Sequence, residues 1–405
     1  MIRTVWNNWF RPPQASVQQR LPSARWGAGL AAPEAPSLVP RPRAGARPSV
    51  SIRRPSARWG SAPHSVPAAA PTVRIEEIVE ETPSTRSFVL ASDADALRRH
   101  QAGQHLTFEL SIDGKTHRRC YSFSTAPGAA RPAITVKRVD GGTVSNHLID
   151  RMQVGQTLRV TGPSGSFMID PDPARAAHYV MVAGGVGITP LISMLEAVLA
   201  DEPKSRVTLL YGSRSEDEII FHERLARLAA AHPQRLQVVL ALDHARTRWP
   251  GIKGRLSGER VLEALGDAVR DAEFYVCGPA PMMDSVVSAL AGTGIDRARI
   301  HQERFAYADA DAVAHPNQAF AVRFAGSART VSSKPGEPLL QTALQAGVSL
   351  PYSCQMGGCG QCRVKTRSGS VVMDQPNCLS VAEIEAGYIL ACCSYAASDL
   401  VVENH

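Results

Sequence analysis

The sequence predicts a multidomain chain: a small antiparallel β-barrel, an α/β domain on a parallel sheet, and a compact C-terminal domain around a cysteine loop, all behind an irregular leader. Three observations carry this. At 405 residues the chain exceeds what one hydrophobic core ordinarily serves. Its texture changes along its length, from short alternating segments after Thr72 to apolar runs alternating with helical stretches after His178. Six of the eight cysteines then gather near the C-terminus, the first three set among glycines.

Composition is that of an ordinary globular protein, 44% hydrophobic and 20% charged, with no apolar run long enough to span a bilayer. The net charge of +7 is unevenly placed. Residues 1–70 hold ten Arg, no Lys and one acid, Glu34, a surplus of +9 that leaves −2 of the total of +7 for the rest. The body therefore has no basic excess to suggest a nucleic-acid partner.

Residues 1–71 form a leader with twelve of the twenty-nine prolines and four of the five tryptophans. Pro-Ser-Ala-Arg-Trp-Gly occurs twice, at 22–27 and 55–60, without helical periodicity between the copies. Such a mixture buries too little to offset its ordering entropy, so disorder is expected. It lacks the continuous apolar core of a secretory signal. Its Arg-rich, acid-poor composition suits a transit peptide or weak docking to an anionic surface, and equally a dispensable tail.

Residues 72–170 read as the barrel. Val73–Glu80, Thr85–Leu90, His105–Ile112, His117–Tyr121 and Ala133–Val139 are short strands, and Asp113-Gly114 marks a hairpin between two of them. Two stretches carry chemistry. In Arg119-Cys120-Tyr121-Ser122, Arg119 and Tyr121 are two apart and share a face. The arginine suits a phosphate, the ring a flat π-system, and Ser122 a hydrogen bond to a ring nitrogen. An ordinary strand with a solvated Arg and a half-buried Tyr is the competing reading. Gly142-Thr143-Val144-Ser145 opens a helix whose first N–H groups, with the Ser145 hydroxyl, suit a pyrophosphate. Plain N-capping by Thr143 or Ser145 would explain the same residues.

Residues 171–308 alternate strands (178–182, 206–212, 236–242, 273–277) with helices (188–200, 218–231, 280–291), the mark of a parallel sheet covered on both faces. Gly184-Gly185-Val186-Gly187-Ile188-Thr189-Pro190 is a glycine turn from strand into helix. It is not G-x-G-x-x-G, yet it has a phosphate-binding outline. Cys277-Gly278-Pro279, followed by Met282, makes a second such turn at the same sheet edge. Cys277 alone would pass for a small buried hydrophobe. Ser213 and Arg214 end another strand, where a hydroxyl and a guanidinium suit the 2′-phosphate of NADPH better than the free ribose of NADH.

Residues 309–317 read as a linker and 318–405 as the cysteine domain. Phe320–Phe324 with Ala328–Val331 forms a hairpin, and Leu339–Ala346 a helix. Cys354, Cys359 and Cys362 are spaced C-x4-C-x2-C, with Cys392 thirty residues on, which is the plant-type ligand set for a [2Fe–2S] cluster. Gly357, Gly358 and Gly360 let the loop curl and aim N–H groups at sulfur. Structural zinc would more often use paired knuckles, and a disulfide framework suits small secreted domains. Thiolates kept for iron argue for a reducing compartment, so a cytoplasmic location is expected.

Together R-x-Y-S at 119–122 and G-x-V-S-N-x-L at 142–148 resemble the flavin-binding pair of the ferredoxin–NADP reductase superfamily. The cysteine domain is similar to the β-grasp plant-type ferredoxins. The order of the pieces is similar to the reductase components that feed oxygenases, and the likeness covers about 335 of 405 residues. The resemblance implies FAD rather than FMN, since FMN has no pyrophosphate. It implies that Arg119, Cys120, Tyr121, Ser122, Lys137, Gly142, Thr143, Val144 and Ser145 serve the flavin, with Phe305 over the ring. Gly184, Gly185, Gly187, Ile188, Thr189, Pro190, Ser213, Arg214, Cys277, Gly278, Pro279 and Met282 would serve NAD(P)H. Ser122, Cys277 and Glu303 would flank the reacting atoms. Electrons would then run from NADPH (less readily NADH) through FAD and the cluster to a partner oxygenase, hydroxylase or desaturase. Two other functions fit the same residues: a general ferredoxin-type reductase or diaphorase, and a redox-sensing docking protein.

Overall fold

In a computed structural model the described residues are 71–91, 97, 99–266, 270–305, 315–352, 354–355, 357–358, 360–374, 377–379 and 381–403. The leader up to residue 70, most of the expected linker and Cys359 lie outside them.

The first sheet is built from β1 (Thr72–Thr82), β2 (Thr85–Ala91), β3 (His105–Ile112), β4 (Lys115–Ser122), β5 (Ala133–Lys137) and β6 (Thr157–Ser164), with α1 (Thr143–Arg151) between the last two. The strands run antiparallel in the order β4-β3-β6-β1-β2-β5. Just past β4 the chain bridges Phe123 to Ile134 of β5, joining the two outer strands. Alternation puts Leu106, Phe108, Val136 and Val160 inside, where they meet Leu148 from α1. Fully burying such side chains contributes about 1.5–3 kcal/mol each. Asp113 and Gly114 both have positive φ, 50° and 75°, at the tight turn that sets the β3–β4 register.

The second sheet comprises β7 (His178–Gly184), β8 (Arg206–Ser213), β9 (Leu236–Leu242), β10 (Ile252–Lys253), β11 (Ala272–Cys277) and β12 (Ile300–Glu303), separated by α2 (Ile188–Asp201), α3 (His222–Ala231), α4 (Gly258–Leu265) and α5 (Ala280–Gly292). All its pairings are parallel, in the order β10-β9-β8-β7-β11-β12. Tyr179, Met181 and Ala183 of β7 enter one core and Val180 and Val182 the other. This two-faced burial is why that strand reads as a continuous apolar run. The strand order reverses beside β7, between β8 and β11, which opens a crevice at the carboxyl ends of these strands.

Two details differ from the sequence expectation. The helix expected over 218–231 begins at His222, because Ile219, Ile220 and Phe221 are drawn into the core and Phe221 takes φ +60°. The additional helix α4 follows Ser257, whose hydroxyl accepts the Arg260 N–H at 3.4 Å.

The third sheet holds β13 (Ala321–Phe324), β14 (Arg329–Ser332), β15 (Arg363–Ser368), β17 (Tyr388–Leu390) and β19 (Leu400–Glu403), in the order β14-β13-β19-β15-β17. A two-stranded pair, β16 (Val371–Met373) with β18 (Ser394–Ala396), lies beside it, and α6 (Leu339–Gln345) and α7 (Val381–Glu385) complete the domain. Leu339, Leu340 and Ala343 of α6 share a core with Val322, Phe324 and the buried Cys362 and Cys392.

Barrel and nucleotide domain are fastened by polar contacts. Lys137 Nζ lies 2.5 Å from Glu218, which also accepts the Ser84 hydroxyl at 2.9 Å. Arg224 donates to the Ser124 carbonyl at 2.8 Å while paired with Glu196, and the Ser193 hydroxyl donates to the Thr125 carbonyl at 2.7 Å. These groups are largely withdrawn from water, so they hold better than exposed pairs worth about 0–1 kcal/mol.

Candidate functional site

Most of the expected flavin and nucleotide residues line one cavity of about 910 Å³ reached from all three domains, whereas Thr143, Ile188, Pro190, Cys277 and the described cluster cysteines stand behind its wall. Arg119 and Tyr121 lie on one face of β4, and Tyr121 meets Phe108 edge-on at 5.7 Å. Burial raises the Tyr121 hydroxyl well above its ordinary range, partly opposed by Arg119, so the ring is a neutral apolar platform. Ser122 is buried and pairs across the ladder with His105. Lys137 reaches the same wall, already bridged to Glu218.

Three helices, α1, α2 and α5, start at the cavity wall, and none has a side-chain cap. Capping by Thr143 or Ser145 therefore does not explain those residues. The Ser145 hydroxyl instead accepts the Val139 N–H at 3.1 Å, which leaves its own proton to donate. Uncapped N-termini present positive ends and N–H groups to an anion.

The glycines of the two strand–helix turns answer to a close approach between the turns themselves. A Cβ on Gly187 would lie 2.2 Å from the Cys277 carbonyl oxygen, and one on Gly184 2.6 Å from the Pro279 ring. A Cβ on Gly278 would meet Met282 at 2.7 Å and the Gly184 backbone at 2.9 Å. Gly185, at φ +52°, has open space where a side chain would stand. Ile188, Thr189 and Pro190 are buried in the first turn of α2, and the Thr189 hydroxyl donates to the Val186 carbonyl at 3.0 Å.

At the floor of the cavity β11 and β12 pair Cys277 with Glu303 in register. Burial lifts the Glu303 carboxyl to about 8, and its Oε2 has no hydrogen-bond partner among the described residues. Burial, and then Glu303, raise the Cys277 thiol, so it stays protonated. His105 Nδ1 lies 3.9 Å from Glu303 Oε1 and Nε2 lies 3.3 Å from the Ser164 hydroxyl. Burial pushes His105 down to about 4, against the opposing effect of Cys354. Gly165 has φ +125°, and a side chain there would press on the His105 ring at 3.1 Å. Phe305 packs against the core beside this floor. An orphaned buried oxygen next to a flat, aromatic-walled space fits a ring carrying its own polar atoms.

The cysteine loop comes to the same place: Gly358 lines the cavity. Cys354, Cys362 and Cys392 are buried around this loop, and the Gly357 N–H donates to Cys392 Sγ at 3.2 Å. That donor set suits a thiolate-bound metal cluster. Gly357 has φ +72°, and a Cβ there would lie 3.0 Å from Cys393 Sγ. Cys378 abuts the loop too, its N–H donating to the Gly357 carbonyl at 2.9 Å. Cys359 lies outside the described residues.

At the far end, Ser213 and Arg214 line the cavity as expected, but the Ser213 hydroxyl donates to the Glu218 carbonyl at 2.9 Å. Glu218, Asp243 and Arg255 also line it, and sequence reasoning passed over them as site residues. No local pattern marks an acid or arginine in a loop, since strand order alone brings them here.

The chain matches three domain families in succession: an oxidoreductase FAD-binding domain over residues 72–169, an oxidoreductase NAD-binding domain over 181–288, and a 2Fe-2S iron–sulfur cluster binding domain over 322–397. It is 34% identical to a subunit of the 1,2-phenylacetyl-CoA epoxidase of Escherichia coli, covering 79% of this chain and 92% of that one. It is 33% identical to the glycine betaine monooxygenase reductase subunit of Pseudomonas aeruginosa, covering 82% and 94%. Among solved structures it is similar to phthalate dioxygenase reductase, a modular structure for electron transfer from pyridine nucleotides to [2Fe–2S], at TM-score 0.55 and 26% identity over 83% of this chain and 98% of that chain.

Proposed function

The chain belongs to the oxygenase reductase components of the ferredoxin–NADP reductase superfamily, and on that premise we propose how its own residues serve the electron path. It is an NAD(P)H:acceptor oxidoreductase carrying FAD and a [2Fe–2S] cluster, and its electrons go to a partner oxygenase. When bound, the nicotinamide, flavin and cluster supply the redox chemistry itself, hydride transfer followed by release of single electrons.

The residues present fit these groups. Arg119, Lys137, Ser145 and the first N–H groups of α1 would hold the flavin phosphates, with Cys120, Gly142, Thr143 and Val144 shaping that wall. Tyr121 and Phe305 flank the ring, and Ser122 offers its hydroxyl to a ring nitrogen. Gly184, Gly185, Gly187 and Gly278 keep the two turns close enough to form one nucleotide cradle. Ile188, Thr189, Pro190, Pro279 and Met282 complete it. Cys277 and Glu303, buried and uncharged near neutral pH, exclude water and shape the hydride site without adding charge. Arg214 favours NADPH over NADH by offering a guanidinium to the 2′-phosphate. Cys354, Cys359, Cys362 and Cys392 hold the cluster. Among the described residues no helix is long and apolar enough to cross a membrane. Four thiolates reserved for iron favour a reducing compartment such as the cytoplasm.

One observation supports this arrangement above the others. Gly358 of the cysteine loop, Tyr121 and Ser122 of the barrel, and Gly185 of the nucleotide turn line one cavity. Bound by these residues, the three redox groups would be neighbours within one chain. Substituting Cys392→Ser tests the reading: NADPH-driven ferricyanide reduction is expected to persist while cytochrome c reduction and the reduced-cluster EPR signal disappear. Equal loss of both activities would contradict a cluster placed after the flavin.

A further inference from the structure

We propose that the Asp243–Arg255 ion pair discriminates between dinucleotides by counter-ion exchange, Arg255 leaving Asp243 for the 2′-phosphate of NADPH. This rests on the NADPH-dependent reading above.

The strand-end hydroxyl is spoken for, since Ser213 gives its proton to the Glu218 carbonyl at 2.9 Å. Two backbone bonds stitch the end of β9 to the end of β8: Asp243 N–H to the Ser213 carbonyl at 3.0 Å and His244 N–H to the Arg214 carbonyl at 2.8 Å. They put the Asp243 carboxylate on the cavity wall beside Arg214. Arg255 arrives on a fixed turn. Gly254, at φ +95°, donates its N–H to the Leu242 carbonyl at 2.7 Å, and Arg260 Nη1 holds the Arg255 carbonyl at 2.5 Å. The next residue, Leu256, packs under Gly212, where a Cβ would meet it at 3.2 Å.

Backbone anchored on both sides, the Arg255 side chain is 88% exposed and touches Asp243 at 3.3 Å. With the arginine so exposed and Asp243 25% exposed, the pair is screened mainly from the arginine side and is held only moderately. A dianionic phosphate accepts a guanidinium in bidentate fashion and is the stronger acceptor. Removing Arg255 would do more than delete a donor: it would leave Asp243 facing the phosphate with like charge. The two residues must therefore act non-additively. Unphosphorylated NADH makes no such demand on the pair.

The test compares kcat/KM for NADPH and for NADH in the holoenzyme, with ferricyanide as acceptor, at fixed ionic strength. It also measures the inhibition constant of adenosine 2′-phosphate. Arg255→Gln is expected to lower the NADPH/NADH ratio about tenfold and to weaken the inhibitor alike. Asp243→Asn should raise the ratio, and the double variant should recover most of what Arg255→Gln loses. Arg255→Lys, with flavin content as the folding control, should fall between. A wild type that prefers NADPH, with the ratio moved less than about twofold by Arg255→Gln, would overturn the inference while leaving the NADPH reading intact. Simple additivity in the double variant would overturn the exchange. A wild type that prefers NADH would overturn the NADPH reading and the inference with it.

Discussion

Glu303 sits where a carboxylate is hardest to keep, buried at the cavity floor with Oε2 lacking a partner among the described residues. Burial raises its carboxyl from 4.5 to about 8. Between those values the folded protein holds a proton that the unfolded chain releases, so stability falls as pH rises through this window and levels off above it. The penalty is on the order of 1 kcal/mol per pH unit. Glu303→Gln removes it. The variant is expected to melt at a higher temperature than the wild type at pH 8, with the difference shrinking towards pH 5, as thermal unfolding across pH would record. A constant difference would show that the carboxyl does not titrate there. Residues differ in how far sequence reveals them. The cysteine loop was legible because iron fixes both the type and the spacing of its ligands. Arg255 was not, because its place depends on a turn around Gly254 and on neighbouring strands far away in the chain.

The elements that matter most are the two glycine turns, after β7 and after β11. From sequence they resemble phosphate loops. In the fold Gly187 answers first to packing, since a methyl there would lie 2.2 Å from the Cys277 carbonyl oxygen. That oxygen belongs to a central strand and cannot step aside as a flexible side chain would. Gly187→Ala is therefore expected to force the turns apart, destabilising the protein by about 1–3 kcal/mol. It should also raise KM for NADPH, and a melting curve with a kinetic titration would reveal both. Unchanged values would mean the turns are not packed this tightly. The parallel sheet was legible because its strands are buried on both faces. The start of α3 was not, because Ile219, Ile220 and Phe221 look helical in pattern while the core claims all three. The hydroxyls opening α1 allowed capping and phosphate binding alike, and the Val139 N–H to Ser145 bond is a tertiary fact no local pattern contains.

Across the whole molecule, sequence order announced three domains but not how closely they meet. The Lys137–Glu218 bridge and the Arg224 contact to Ser124 fasten barrel to nucleotide domain. Gly358 then brings the cysteine loop to the shared cavity. The path proposed here carries NADPH electrons to the cluster inside this one chain. An anaerobic NADPH titration of the purified protein, followed by visible absorbance and low-temperature EPR, tests it most directly. The arrangement predicts flavin bleaching accompanied by a rhombic reduced-cluster signal, reached at lower concentration with NADPH than with NADH. Bleaching with no EPR signal would contradict it and leave a flavin reductase whose cysteine loop serves some other end.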